Sequence, residues 1–455
     1  MSPIAENVER LRRTFASGRT KPLAWRKAQL DAIHRLITER EDEIVEALAE
    51  DLGRESFDSW FADLSSTKTE VLDAKKNLAG WVRPRKAGTP LAMLPARSWV
   101  QYEPLGTVLI IGPWNYPVYL TLSPAVAAVA AGNCVVVKPS EHAPATSALL
   151  ARLIPQYLDQ DAVYVVEGAA DVTQELLDQG LDHVLFTGGP QIAKAIMAGA
   201  AKHLTPVTLE LGGKSPVIVA ADTDVATAAR RIVFGKQLNS GQTCIAPDYA
   251  LVDRKVLDRF TAEVVKAVDE MSGGEGGRAR RIVNERHARR LAGLLDGHGG
   301  KVVHGGESDP DARTVDFTVV VDPDPDSELM TEEIFGPILP VVGVSSVAEA
   351  VEFVRERPKP LAAYLFTGNK ADERRFLADV SAGGVVINHV GYHALNPNLP
   401  FGGVGNSGMG SYHGEYGFKT FSHAKACLRK GISPDPGFVY PPYTESTKKL
   451  LRRLL

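Results

Sequence analysis

Apolar residues recur at intervals of three and four through RKAQLDAIHRLITEREDEIVEALAED, residues 26–51, and Leu30, Ile33, Ile37, Ile44 and Leu48 form one stripe. That period predicts amphipathic helices, and the same texture runs from about residue 5 to 80. RPRKAGTPLAMLP, 83–95, is rich in helix breakers and reads as a connector. From about residue 100 the pattern changes to short β-branched runs: TVLIIG, CVVVKP, AVYVVEG, HVLFTGG and SPVIVA. Alanine-rich helical segments such as LTLSPAVAAVAAG and PQIAKAIMAGAAKH lie between them. Strands alternating with helices predict an α/β fold of parallel βαβ units, with ligands at the strand ends. A second α/β stretch continues to about 390 and includes GGVVIN, while DPDPDSE, 322–328, reads as an exposed turn-rich loop. The long weakly polar stretch that starts at VLIIGPWNYP is broken by Gly, Pro and Asn, and reads as strand, loop, helix and strand. No uncharged apolar run of membrane-spanning length is present.

Composition narrows the class. The 455 residues exceed one ordinary domain, and 44% hydrophobic with 23% charged residues is usual for a soluble globular protein. Lys and Arg number 51 against 55 Asp and Glu, so no basic surplus points to nucleic acid. Three cysteines cannot make a disulfide framework and suit reduced thiols in a cytoplasmic compartment. MSPIAENVERLRR lacks the apolar core of a signal peptide. His389 and His393 lie four apart without a nearby HExxH or CxxC, so no metal site is expected.

One literal G-x-G-x-x-G occurs, at Gly403, Gly405 and Gly408, but NPNLPF precedes it instead of a strand. It therefore reads as a tight structural loop. Two other places follow strands, as a cofactor site should. CVVVKPSE ends in Lys138, Ser140 and Glu141, and HVLFTGGP ends in Gly188 and Gly189 before a helical run. A glycine pair at a helix start lets backbone N–H groups face a pyrophosphate, and Lys138 and Glu141 can hydrogen-bond ribose hydroxyls. A solvated Lys/Glu pair and a plain strand-to-helix turn are the bland alternatives.

Among the thiols, Cys134 opens a β run and reads as a small buried hydrophobe, while Cys427 reads as a packing residue near the chain's end. Cys244 closes the small, polar run NSGQTC, an exposed and flexible setting suited to a nucleophile. Asn115 lies between two prolines in PWNYP, where a stiff loop can fix its amide as a hydrogen-bond donor. Glu210, in the apolar TLELGG, can have its pKa raised into general-base range. Each also has a structural reading, as a turn residue or an ion-pair partner.

PWNYP, KPSE, FTGG, LELGGKSP, GQTC, EEIFGP and PFGGVGNSG stand in the order and approximate spacing of the NAD(P)-dependent aldehyde dehydrogenases, over roughly residues 100–425. The chain resembles that family, and its class 3 branch, which includes fatty-aldehyde dehydrogenases, most of all. The resemblance implies Cys244 as nucleophile, Glu210 as the base that activates water, and Asn115 as oxyanion donor. It implies Lys138, Ser140 and Glu141 at the adenosine ribose, Gly188 and Gly189 beside the pyrophosphate, and Glu333 and Phe335 at the nicotinamide. Tyr116 and Phe401 flank matched motifs and are expected in a hydrophobic substrate pocket. The implied architecture is a Rossmann-like cofactor domain (1–82 and 100–209), an α/β catalytic domain (210–392), and bridging or oligomerisation segments with a tail (83–99 and 393–455). Two departures stand out: Ala193 where relatives have a second glycine, and His389 where they often carry an acid.

The implied reaction is oxidation of an aldehyde to the free acid, with NAD preferred because Glu141 repels a 2′-phosphate, NADP tolerated, and a homodimer expected. Transfer of the acyl group to coenzyme A, or a silent scaffold on the same fold, are the alternatives; Glu210 and the intact set of three weigh against both. In TKKLLRRLL, Lys448, Lys449, Arg452 and Arg453 alternate with Leu450, Leu451, Leu454 and Leu455. On a helix this gives a basic and an apolar face, which either covers protein surface or makes weak peripheral contact with an anionic membrane.

Overall fold

The computed structural model describes residues 2–272 and 280–454. Helices Pro3–Ala16, Leu23–Glu39 and Glu41–Leu52 open the chain, and Leu30, Ile33, Ile37, Ile44 and Leu48 are all fully buried, as their spacing requires. A short helix Ser56–Ser59 runs through a π-helical turn, Trp60–Ser65, into the helix Ser66–Trp81.

The first sheet carries parallel strands in the order Val207–Glu210, His183–Thr187, Thr107–Ile111, Cys134–Lys138, Val163–Val165. Helices cover it, so its central strands are buried on both faces and read as unbroken apolar runs. The register aligns Ile111 with Lys138 and Thr187 with Glu210, so these residues share the carboxyl edge of the sheet. The short strand Gly408–Met409 adds antiparallel to Val207–Glu210.

The second sheet has the order Lys301–His304, Thr318–Val321, Ile338–Val344, Tyr249–Asp253, Pro216–Val219, Ala362–Phe366, Gly384–Ile387, parallel except at Lys301–His304. LGGKS, 211–215, is the whole connection between the last parallel strand of the first sheet and Pro216–Val219 of the second.

A third, antiparallel sheet joins Arg85–Ala87, Ala96–Pro104 and Ser422–Lys430. The strand Arg85–Ala87 falls inside the breaker-rich 83–95, because a partner at 98–100 supplies the ladder that local sequence does not announce. Ala96–Pro104 runs across position 100, and Phe401, Tyr412, Phe418 and Phe421 return to the core of the first unit. The tail forms the helix Glu445–Leu454 beside the turn Gly437–Val439, and Leu450 is exposed. Leu455 and the Leu454 side chain lie outside the described residues. No helix among the described residues is long and apolar enough to cross a membrane.

Candidate active site

Past the helix Val225–Gln237 the backbone adopts three consecutive left-handed residues: Asn239 (φ 50°), Ser240 (φ 58°) and Gly241 (φ 73°). Asn tolerates that region and Gly occupies it freely. Gly241 is also sterically required, since a Cβ there would sit 2.2 Å from the Gly336 carbonyl oxygen. The turn is then tied down. Gln242 Nε2 donates to the Asn239 carbonyl (3.0 Å), Gln242 Oε1 accepts the Val283 N–H (3.0 Å), and the Tyr364 hydroxyl donates to the Ile245 carbonyl (2.6 Å). Cys244 is half-buried in a fixed loop, not in the exposed, flexible setting expected from its polar neighbours. Small residues serve close packing of backbone here, not mobility.

Asn115 is buried and meets this loop directly: its Nδ2 donates to the Gln242 carbonyl (3.0 Å), and its own carbonyl accepts from Asn239 Nδ2 (2.9 Å) and from Arg54. Tyr116 shares a hydrogen bond with Thr243 Oγ1 (2.6 Å). Arg54, its ion-pair partner Asp63, and Asn239 were not anticipated. A lone Arg and Asp among N-terminal helices carry no local signal, and NSGQTC alone does not say what its first amide touches.

Glu210 ends its strand fully buried, and neither carboxylate oxygen has a hydrogen-bond partner among the described residues. Burial alone pushes its pKa well above the ordinary value, as its apolar setting predicts. Burial, then the Glu333 and Glu210 carboxylates, pushes the Cys244 thiol up to about 12, against hydrogen bonds from the backbone N–H groups of Cys244 and Ile245. Glu333 is itself pushed up to about 7 by burial and by Asp248. Its carboxylate occupies the space a Cβ on Gly212 would fill, 2.2 Å away, so the LGG turn must be glycine to admit it. Phe335 holds φ 48° and sets its ring edge-on to Trp114, centroids 5.3 Å apart. The structure thus groups Cys244, Glu210, Asn115 and Glu333 around one point, with Phe335 beside Trp114 of the same PWNYP loop.

Lys138, Ser140 and Glu141 lie two strands along the carboxyl edge from Gly188 and Gly189. Lys138 Nζ, itself buried, bonds the Pro139 carbonyl (2.9 Å) and Glu141 Oε2 (3.1 Å). Ser140 Oγ accepts the His142 N–H (3.2 Å) and so shapes the turn. The Gly188 N–H is taken by the Glu210 carbonyl (3.0 Å), while Gly189 has open space around its Cα and precedes the helix Pro190–Ala201. That helix has no side-chain cap and no acid in its first turn, so its start can accept an anion. Ala193 is buried on the helix's inner face. The GVGNSG loop is structural in its folding: a Cβ on Gly403 would lie 2.0 Å from the Ser407 carbonyl, and Gly408 pairs with Glu210 across a sheet edge.

An apolar cavity opens onto Cys244 and is lined by Tyr116 and Phe401, and by Tyr119, Tyr412 and His413, three rings the sequence did not mark. His413 is buried at φ 84°, hydrogen-bonds Tyr119 (3.0 Å) and lies 3.7 Å from Glu70. His389 does not line the cavity; its ring stacks at 3.6 Å on Tyr392, which does. His393 packs against Phe401, with burial pulling its pKa down to about 4.

A thiol, a bare buried carboxyl and a fixed amide thus meet at the carboxyl edge of the first parallel sheet. The family model of the Aldehyde dehydrogenase family matches residues 2–427, and the chain belongs to that family. It is an oxidoreductase that acts on aldehydes with NAD(P). It is 45% identical to the rat "Aldehyde dehydrogenase, dimeric NADP-preferring" over 97% of this chain and 98% of that one. It is 46% identical to rat aldehyde dehydrogenase family 3 member A2 (97% and 92% covered) and to Arabidopsis thaliana family 3 member H1 (98% and 94%), which places it with class 3. The substrate-bound Staphylococcus aureus AldH superposes with a TM-score of 0.96 at 39% identity over the full length of both chains.

Burial raises the folded-state pKa of Glu210 above its unfolded value, so the stability linked to its neutral form is full below about 4.5 and is lost as pH rises towards the folded value. Gln mimics the neutral carboxyl. The Tm of Glu210→Gln should therefore exceed that of the wild type by a margin that widens from pH 6 to pH 9 in thermal melts. A margin independent of pH would contradict the buried, unpartnered carboxyl.

Proposed function

We propose that this enzyme oxidises hydrophobic aldehydes, medium-to-long aliphatic or aromatic, to free carboxylic acids. One observation carries the reading: the unpartnered carboxyl of Glu210 acts through its charge on the Cys244 thiol, and that thiol lines an apolar cavity. Cys244 gives its thiol proton to solvent water and its sulfur adds to the aldehyde carbon. The Asn115 amide and the Cys244 N–H donate to the oxygen as it becomes negative; losing one such donor costs roughly a hundredfold or more in rate. When bound, the nicotinamide cofactor supplies the hydride acceptor. Glu210, ionised, then takes a proton from water as the water oxygen attacks the thioester carbon; the C–S bond breaks, the proton passes to sulfur, and the acid and the thiol are released. A water-activating carboxyl at this place favours hydrolysis over transfer to coenzyme A. Lys138 and Glu141 would hold the ribose, Gly189 and the start of Pro190–Ala201 the pyrophosphate, and Glu333 and Phe335 the nicotinamide end.

With long-chain and aromatic aldehydes, Cys244→Ser should show no turnover yet keep nucleotide affinity. Glu210→Gln should give a rapid NADH burst near one equivalent per site and then stall. A lost burst in Glu210→Gln, or a preference for small charged semialdehydes across an aldehyde panel, overturns the reading.

Cofactor preference follows from charge. Burial pushes the Glu141 carboxyl up, but hydrogen bonding to its own backbone N–H and the Lys138 ammonium outweigh this and hold it below the usual range. An anion there disfavours a 2′-phosphate, so NAD is preferred and NADP accepted, although the rat relative is named NADP-preferring. The kcat/KM ratio of NAD to NADP should exceed one and fall in Glu141→Gln; a wild-type ratio below one refutes it.

The chain is read as a cytoplasmic homodimer: its three thiols are free, and the nine-residue edge strand Ser422–Lys430 pairs on one side, a feature that association covers well. The tail helix, basic on one side with Leu450 exposed, is read as capable of weak docking on anionic membranes. At low salt, the full chain should co-sediment with anionic liposomes more than a version ending at Thr447; equal sedimentation assigns the leucines to protein packing.

A further inference from the structure

Two loops from distant parts of the chain make the oxyanion site, and one buried cation touches both. Arg54 Nε donates to Asn239 Oδ1 (2.8 Å) in the nucleophile loop, and its other nitrogens reach the Asn115 carbonyl and Asp63. The guanidinium also covers the Tyr116 ring, 4.5 Å from its centroid. Asp63 completes the clamp: its other oxygen accepts the N–H groups of Val118 (3.0 Å) and Tyr119 (2.8 Å), where the helix Tyr119–Ala131 leaves the PWNYP loop. Both side chains are buried, at 8% and 0% exposure.

Asp63 sits within the π-helical turn Trp60–Ser65, a widening of the helix of the kind that often marks functional positions. Asn115 is consequently held at its carbonyl by Arg54 and Asn239, at its amide by Gln242, and downstream through Asp63. Among charged side chains, Arg's planar fork can meet Asn239, Asn115 and Asp63 in fixed directions at once; a lysine offers a single point of charge.

We propose that Arg54 is the positioning residue of the oxyanion site, fixing the Asn115 amide against the Cys244 loop. It acts through Asn115 and so rests on the reading of Asn115 as the oxyanion donor. The aldehyde it serves is unchanged; the step it governs is formation and collapse of the thiohemiacetal, not release of the acid.

A double-mutant cycle on the NADH burst, followed by stopped flow with one aromatic aldehyde, tests this. Arg54→Lys should slow the burst about tenfold or more while NAD affinity holds, since the donor is misdirected and the ribose contacts lie elsewhere. In an Asn115→Ala background the same change should slow it by less than about twofold, because the group it positions is gone. An equal factor in both backgrounds, or a wild-type burst in Arg54→Lys, overturns the proposal. If Arg54→Lys fails to bind NAD as a folded protein, Asn239→Gly, which keeps the left-handed backbone and removes the amide, takes its place in the cycle with the same two outcomes. A full burst in Asn115→Ala alone defeats the oxyanion reading together with this one, whereas a slow Asn115→Ala with additive Arg54→Lys defeats only the positioning role.

Discussion

The site depends on a carboxyl group that the fold buries without a partner. Glu210 ends the strand at one side of the first sheet, and the five residues after it lead straight into the second sheet. A polar group in that position is costly unless it is hydrogen-bonded, and neither of its oxygens has a partner among the described residues. What the arrangement gains is a carboxyl whose pKa burial raises, and so a stronger base once ionised, whose charge acts on a thiol whose own ionisation is opposed by burial and by two carboxylates. Burial raises the pKa of Cys244, Glu210 and Glu333 alike, so each of the three ionises less readily than it would in water.

The surrounding backbone is built to allow this crowding. Gly212 leaves the volume that the Glu333 carboxylate fills, and Gly241 lets the nucleophile loop approach the Gly336 carbonyl. Arg54 and Asp63 supply the opposite quality, rigidity. Breaking a buried pair by removing one partner costs roughly 3–5 kcal/mol, because the other charge is left uncompensated. Close approach by glycine and fixation by a buried fork act on the same two loops, so the thiol and the amide hold their relative positions while the cavity beside them stays apolar.

That cavity is less simply hydrophobic than its lining of rings implies. Two of the lining residues, Tyr119 and His413, are hydrogen-bonded to each other, and His413 lies beside the buried Glu70, with burial pushing Glu70 up to about 7 and pulling His413 down to about 3. At neutral pH this leaves His413 uncharged, and the floor of the cavity presents rings and a hydroxyl, not a cation.

Sequence alone determined the family, many of the elements and the candidate residues for the chemistry. The period of three to four marked the N-terminal helices, β-branched runs marked four parallel strands of the first sheet and Pro216–Val219 and Gly384–Ile387 of the second, and ordered motifs picked out Cys244, Glu210 and Asn115. These signals are local: a periodicity, a breaker, a residue type at a fixed offset. Tertiary structure decided what local pattern cannot carry. It set Arg85–Ala87 as a strand through a partner at 98–100, and Cys244 in a rigid loop where its polar neighbours had implied a mobile one. It also chose Arg54, Asp63, Tyr119 and His413, each an ordinary residue in its own segment, whose place in the site comes from contacts across 55 to 294 positions of chain. Burial, the source of every large pKa shift here, belongs to the packed whole, and no stretch of sequence shows it by itself.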